Sequence, residues 1–266
     1  MAQLQPDDTT NNDDGVAFIS PHNVYNKLIP SVMLIKGVES NSSLSDAEVE
    51  DNIADGKTWY CSAVAIEANL FATNFHCIAY PENENDKMSN WIISDLICLI
   101  SLAGDITTGG VYNSSDWAEF LENQYGQCSW TNVVAYDSSA DLALIEIQNE
   151  DINNFNAKPV SVKLSRDVEI SDSIYTLGNP YGNPGVFSEG SITAIGEHDV
   201  MGLYERTAKI FTIDAMIEPG NSGGGLFDVG GNLIGITSAG DPSRMGIISK
   251  KQYNSAIAID EFLRLK

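Results

Sequence analysis

The sequence predicts an all-β protein, built as one large β domain or as two small packed barrels. Its 266 residues suit either arrangement. Apolar residues make up 43% of the chain, ample for a core. They fall in short runs bounded by Gly, Pro, Asn and Asp, the pattern of strands joined by turns. No run approaches the roughly 20 apolar residues that a membrane-spanning helix needs.

In chain order, residues 1–15 are rich in Asp, Asn and Thr and read as disordered, while 16–266 read as a single domain. A mixed apolar stretch over 16–29 leads into a first strand at 31–38. The polar, acidic stretch 39–57 holds a short helix around 46–53. Strands at 58–66 and 69–73 pair through the turn Glu67-Ala68-Asn69. Beyond His76 come a polar loop at 81–87, an apolar strand at 91–102 and a Gly109-Gly110 turn. Ser115 then N-caps a helix at 116–124, with Trp117, Phe120 and Leu121 on one face. Residues 81–130 read together as an insertion. The carboxylates and amides of its acidic loop suit either a Ca²⁺ site or plain solvation. Further strands follow at 142–147, 160–164, 173–177, 185–195, 211–217, 233–238 and 255–259, before a terminal helix at 260–266.

The stretch most informative about chemistry is Asp-Ala-Met-Ile-Glu-Pro-Gly-Asn-Ser-Gly-Gly-Gly-Leu-Phe, 214–227. An apolar strand reaches Pro219-Gly220, turns, and delivers Ser222 among glycines. A serine so placed is open to a substrate, and the N–H groups of Gly220 and Ser222 can converge as an oxyanion hole. The same letters also fit a Gly-rich hairpin with an ordinary turn serine. Upstream, Phe-Ala-Thr-Asn-Phe-His-Cys places His76 at the end of an apolar run, and Asp-Ser-Ser-Ala-Asp-Leu-Ala-Leu places Asp141 at the head of another. His22 and His198 lie in no comparable context.

His, Asp and Ser in that order, each at a strand edge, resemble the chymotrypsin/trypsin-like serine peptidases. The wording is closest to the protease domain of the HtrA (Deg) branch, with motifs T-N-x-H, D-x-A-L and G-N-S-G-G. Gly178-Asn179-Pro180-Tyr181-Gly182, followed by Glu189-Gly190-Ser191-Ile192, resembles that branch ahead of the nucleophile strand. The resemblance spans 30–259. It implies two packed six-stranded antiparallel β-barrels, a short C-terminal helix, and a catalytic triad of His76, Asp141 and Ser222. Asp137 competes for the carboxylate role, although Asp-Ser-Ser suits a turn. The interval between His76 and Asp141 is long for the branch. Asn221 stands where trypsin-type zymogens keep an Asp, so activation by a freed amino terminus is not required. The branch commonly adds a PDZ domain, which this sequence is expected to lack.

Pocket residues follow from the same resemblance. Met216 occupies the floor position where trypsin-like enzymes keep an Asp, Ser238-Ala239-Gly240 resembles the strand that pairs with substrate, and Ala256 falls at the rim. Thr237 stands where glutamate-specific relatives place a His. The implied pocket carries no charge, so a small or medium apolar side chain is expected ahead of the scissile bond. The implied function is a serine endopeptidase acting on polypeptides. The alternatives are an inactive homologue that serves as a binding module and a serine esterase on the same scaffold.

The four cysteines add a compartment. By resemblance to animal chymotrypsin-like enzymes, Cys61 and Cys77 bridge the histidine loop, a bond HtrA proteins usually lack. That leaves Cys98 and Cys128 to pair with each other, if they pair. An even count with one familiar spacing implies an oxidising compartment. No C-x-x-C or His cluster points to a metal, and no cofactor is expected. The amino end has neither the basic region nor the apolar core of an intact signal peptide, so a secreted or periplasmic protein would have lost its signal; otherwise it stays in the cytosol. A formal net charge of −23 repels nucleic acid and anionic membranes, which excludes both as partners. Oligomeric state is not legible.

Overall fold

The computed structural model describes residues 20–82, 90–101, 129–147, 157–199, 207–238 and 254–266. The segment expected to be disordered, most of the expected insertion with its acidic loop and helix, and Cys128 lie outside the described residues.

In chain order come α1 (Pro21–Leu28), β1 (Val32–Val38), α2 (Asp46–Ala54), β2 (Thr58–Ala65), β3 (Leu70–Thr73), β4 (Ala79–Pro81) and β5 (Trp91–Ile93). Next are β6 (Leu96–Ser101), β7 (Ser129–Asp137), β8 (Leu142–Ile147), β9 (Ser173–Gly178), β10 (Val186–Asp199) and β11 (Thr207–Ile213). The chain ends with β12 (Gly225–Asp228), β13 (Leu233–Ser238), β14 (Asn254–Ala258) and α3 (Ile259–Leu263). Two closed antiparallel barrels result, β1-β2-β3-β8-β7-β6 and β10-β11-β14-β13-β12-β9, with β4-β5 as a separate two-stranded sheet.

Three apolar cores explain why so many strands are apolar on both faces. Met33, Ile35, Phe71, Leu99, Ala143 and Ile145 fill the first barrel. Ile174, Ile192, Phe211, Ile213, Leu226 and Ala256 fill the second. The side chains that alternate with these, among them Val32, Leu142, Leu144, Leu177, Ile210 and Ile257, form a third core shared by residues of both barrels. In Leu-Ala-Leu-Ile, period-two alternation therefore serves two cores at once. Burying Leu142 and Leu144 between barrels contributes about 1.5–3 kcal/mol each, enough to make the pairing of the barrels part of folding itself.

Some expectations need correction. The strand expected at 91–102 is two, interrupted where the Ser94 hydroxyl donates to the Val38 carbonyl at 2.5 Å. Residues 160–164 form no strand; only Val162 bridges to Leu233, in parallel. Helix α1 lies in what reads as featureless lead-in. Its signal is Ser20-Pro21, an N-cap whose hydroxyl accepts from the Asn23 N–H at 3.3 Å, followed by Pro in the first turn. The helix of 46–53 forms as Asp46–Ala54 with a Ser45–Glu48 capping box.

Candidate active site

His76 lies in a single 3₁₀ turn, Phe75–Cys77, directly after β3. Asp141 lies at the turn from β7 into β8, 2% exposed and in the left-handed region at φ 56°. Asp137 builds that turn. Its Oδ1 accepts from the Ser139 N–H at 3.0 Å, the Ser139 hydroxyl at 2.6 Å and the Ala140 N–H at 3.2 Å. Of the two candidate carboxylates, one thus closes the turn and the other meets the histidine.

The Asp141 carboxylate lies 2.9 and 3.0 Å from His76 Nδ1. It also accepts from the His76 main-chain N–H at 3.0 Å and from the Ser238 hydroxyl at 3.1 Å. Such donors offset the cost of burying a carboxylate. Because an ionised carboxylate only accepts, Nδ1 must carry the ring proton, which leaves Nε2 as the acceptor of a neutral ring. Burial pushes the His76 pKa down, while the charge of Asp141 and its hydrogen bond push it up; the net shift is upward from 6.5.

Ser222 is 4% exposed, on the turn that precedes β12. Its carbonyl accepts from the Ser62 N–H on β2 at 2.7 Å, and the Cys77 sulfur lies 3.5 Å from the same oxygen. Cys61 and Cys77 are joined in a disulfide, so the histidine turn, β2 and the serine turn meet at one point. Cys98 is also disulfide-bonded. Two glycines of the serine turn combine a positive φ with a close approach of backbone. Gly220 (φ 98°) packs where a Cβ would lie 2.6 Å from the Asn179 carbonyl oxygen, and Gly223 (φ 82°) where it would lie 1.9 Å from that of Ser62. Thr237 anchors the turn from β13, its hydroxyl donating to the Asn221 carbonyl at 2.6 Å.

The expected pocket residues do not gather as one set. Met216 is 64% exposed, whereas Ala215 and Ile217 on either side are buried. Strand β11 ends at Ile213, and on the irregular stretch that follows, the Met216 side chain faces solvent and makes no buried floor. Ala256 is fully buried in the second barrel's core. Ser238 is buried beside Asp141, and Ala239 and Gly240 lie outside the described residues. His22 is exposed on α1, bonded to Asn26 at 2.9 Å, and His198 lies on β10.

Sequence reasoning misses Ser62 and Asn179, both fully buried beneath the serine turn. Their signals are a polar residue within the apolar run Cys-Ser-Ala-Val-Ala and an Asn ahead of Pro in Gly-Asn-Pro.

Comparisons with known proteins bear on the family and the fold. The chain is 34% identical over 113 residues to an HtrA-like serine protease of Staphylococcus epidermidis, covering 40% of this chain and 19% of that one. It is 28% identical to the serine endoprotease DegS of Haemophilus influenzae, over 81% of this chain and 61% of DegS. It is 25% identical to the chloroplastic protease Do-like 5 of Arabidopsis thaliana, over 91% of this chain and 67% of that protein. The chain thus spans under two thirds of the length of the Staphylococcus and Haemophilus relatives. Among solved structures, the Rv3671c protease of M. tuberculosis in its active form aligns with a TM-score of 0.62 at 19% identity, covering 99% of this chain and 92% of that one. The HtrA-type protease AlgW with a tripeptide aligns at 0.61 and 23%, covering 92% and 62%. These likenesses share the double-barrel fold. A family model described as a trypsin-like peptidase domain matches residues 61–236, which contain His76, Asp141 and Ser222, and the chain belongs to that family.

Proposed function

We propose that the chain is a serine endopeptidase with Ser222 as nucleophile, His76 as general base and Asp141 as the group that orients the ring. The observation that carries this reading is the Asp141 carboxylate 2.9 Å from His76 Nδ1, which fixes Nε2 as the proton acceptor. In the first half-reaction Nε2 takes the Ser222 hydroxyl proton as its oxygen bonds to the substrate's carbonyl carbon. The tetrahedral oxyanion receives the N–H groups of Gly220 and Ser222. Collapse breaks the C–N bond, the imidazolium gives its proton to the leaving amine, and an acyl-enzyme remains. Water then attacks with His76 again as base, and Ser222 recovers its proton as the acid product leaves. Asp141 keeps its charge throughout, so it stabilises the imidazolium at both stages.

Polypeptides are the substrates in this reading, cut after small or medium apolar residues. With Met216 exposed, that preference rests on the absence of a charged residue at the positions the resemblance assigns to the pocket. The HtrA-type structural neighbour AlgW was solved with a tripeptide, which supports peptide binding on this fold. Disulfides and the relative named periplasmic serine endoprotease DegP in Salmonella typhimurium support a secreted or periplasmic protein. Among the described residues no helix is long and apolar enough to cross a membrane. A net charge of −23 disfavours polyanionic partners.

The test is turnover of unstructured casein by the wild type and by Ser222→Ala. Cleavage lost in the variant, with its circular dichroism unchanged, supports the assignment; undiminished cleavage overturns it.

A further inference from the structure

One residue of the first barrel holds both residues whose N–H groups make the proposed oxyanion hole. Ser62, on β2, is fully buried. Its main-chain N–H donates to the Ser222 carbonyl at 2.7 Å, and its hydroxyl donates to the Gly220 carbonyl at 2.9 Å. Behind it, the Asn179 main-chain N–H and Nδ2 reach the same hydroxyl at 2.9 and 3.0 Å.

The direction of each bond is settled by elimination. Asn179 Nδ2 also lies 2.9 Å from the Met33 carbonyl, which can only accept, and Asn179 Oδ1 lies 3.0 Å from the Gly185 N–H, which can only donate. The amide therefore has one orientation, and the Ser62 oxygen receives two N–H groups. Its single proton is left for Gly220.

Four successive carbonyls of the serine turn are thereby held. The Pro219 carbonyl accepts from the Tyr181 N–H at 2.7 Å, that of Gly220 from the Ser62 hydroxyl, that of Asn221 from the Thr237 hydroxyl at 2.6 Å, and that of Ser222 from the Ser62 N–H. In a trans peptide the N–H points opposite to the C=O. Holding the Pro219 and Asn221 carbonyls thus directs the N–H groups of Gly220 and Ser222 to the other side. Ser62 controls the remaining freedom between those two planes. It matters most at Gly220, whose φ of 98° is reached by a residue with few steric limits on rotation.

We propose that Ser62, backed by Asn179, is a positioning residue for the oxyanion hole of the peptidase reaction proposed above, on which this inference rests. It touches no substrate and acts through the Gly220 and Ser222 main chain.

The experiment measures kcat and KM on a peptide substrate for wild type, Ser62→Ala and Ser62→Cys. It also measures affinity for a peptide aldehyde and for the matching product peptide, with thermal denaturation of each variant. The aldehyde adds to the nucleophile and needs the hole; the product peptide does not. Losing one oxyanion donor costs about 10²–10³ in kcat, so misaligning one should cost about 10–10². Ser62→Ala is expected to lose that factor in kcat and in aldehyde affinity, with KM and product affinity within about twofold. Ser62→Cys keeps the volume with a weak donor and should show the same split, smaller, even if the alanine variant fails to fold. A folded variant with unchanged kcat, or one whose product affinity falls as far as its aldehyde affinity, overturns the inference. A wild type that binds no aldehyde overturns the peptidase reading beneath it.

Discussion

Gly223→Ala puts the junction between barrels and nucleophile under a measurable load. The residue sits at φ 82°, where an added Cβ would lie 1.9 Å from the Ser62 carbonyl oxygen and 2.3 Å from the Thr73 hydroxyl, against the 3.0 Å that real Cβ contacts respect. Something must move by about 1 Å, and both neighbours belong to the first barrel's paired strands. The left-handed conformation costs about 1–2 kcal/mol and overpacking about 1–3 kcal/mol more, or about 2–5 kcal/mol together. At about 2–4 °C per kcal/mol for a domain of this size, the melting temperature should fall by about 4–20 °C. A 1 Å displacement of a reacting group costs about 10² in rate, so folded variant should react with a fluorophosphonate about 10²-fold more slowly. Gly56→Ala is the control, at φ 74° with nothing within 4 Å of the added Cβ. It bears the strain without the collision and should keep full reactivity. A Gly223→Ala protein with the melting temperature and labelling rate of Gly56→Ala would show that the serine turn is not packed this tightly against β2 and β3.

Asp141→Asn should lower kcat by about 10⁴ by favouring the wrong tautomer of His76, whereas Asp137→Asn should mainly cost stability; steady-state kinetics that ranked them the other way would reassign the carboxylate. The activity–pH profile should have its acid limb above 6.5, the ordinary value from which His76 is raised, because only the neutral ring accepts a proton. Since the folded pKa is the higher one, the ion pair's contribution to stability is fully present below the unfolded pKa and is lost as pH rises through the folded one. Acid inactivation should therefore precede acid unfolding, which parallel activity and circular dichroism titrations can check. Replacing Cys61 and Cys77 by serine opens a loop of sequence separation 16, worth about 3 kcal/mol in the chain-entropy account. The Trp59 indole N–H still reaches the Cys77 carbonyl at 2.9 Å, so in mild reductant activity should fall before the fold does, and peptide mapping should find these two cysteines bonded beforehand.

Features written in short, contiguous stretches were legible in the sequence. The apolar runs around β2, β3 and β8 place His76 and Asp141 at strand edges, and the glycines around Ser222 mark a turn. The short helix around 46–53 is likewise local. What was not legible depends on partners far apart in the chain. Residues 160–164 look like a strand but find only one bridge, at Leu233. Met216 matches a pocket position by counting back from Ser222, yet β11 ends at Ile213 and the irregular stretch beyond it leaves Met216 in solvent. Ser238 reads as part of a substrate-pairing strand, while its hydroxyl serves Asp141, 97 residues away in sequence. Ser62 and Asn179 are an unremarked serine and an asparagine in a turn motif until the barrels bring them within 3.0 Å.

His76 and Asp141 are proposed to activate Ser222 alone among the chain's hydroxyls. Peptide mapping after treatment with a fluorophosphonate at neutral pH tests it most directly. A single stoichiometric adduct on Ser222 is expected, abolished by Ser222→Ala and slowed by Asp141→Asn. An unlabelled folded protein, or an adduct on another residue, would contradict it.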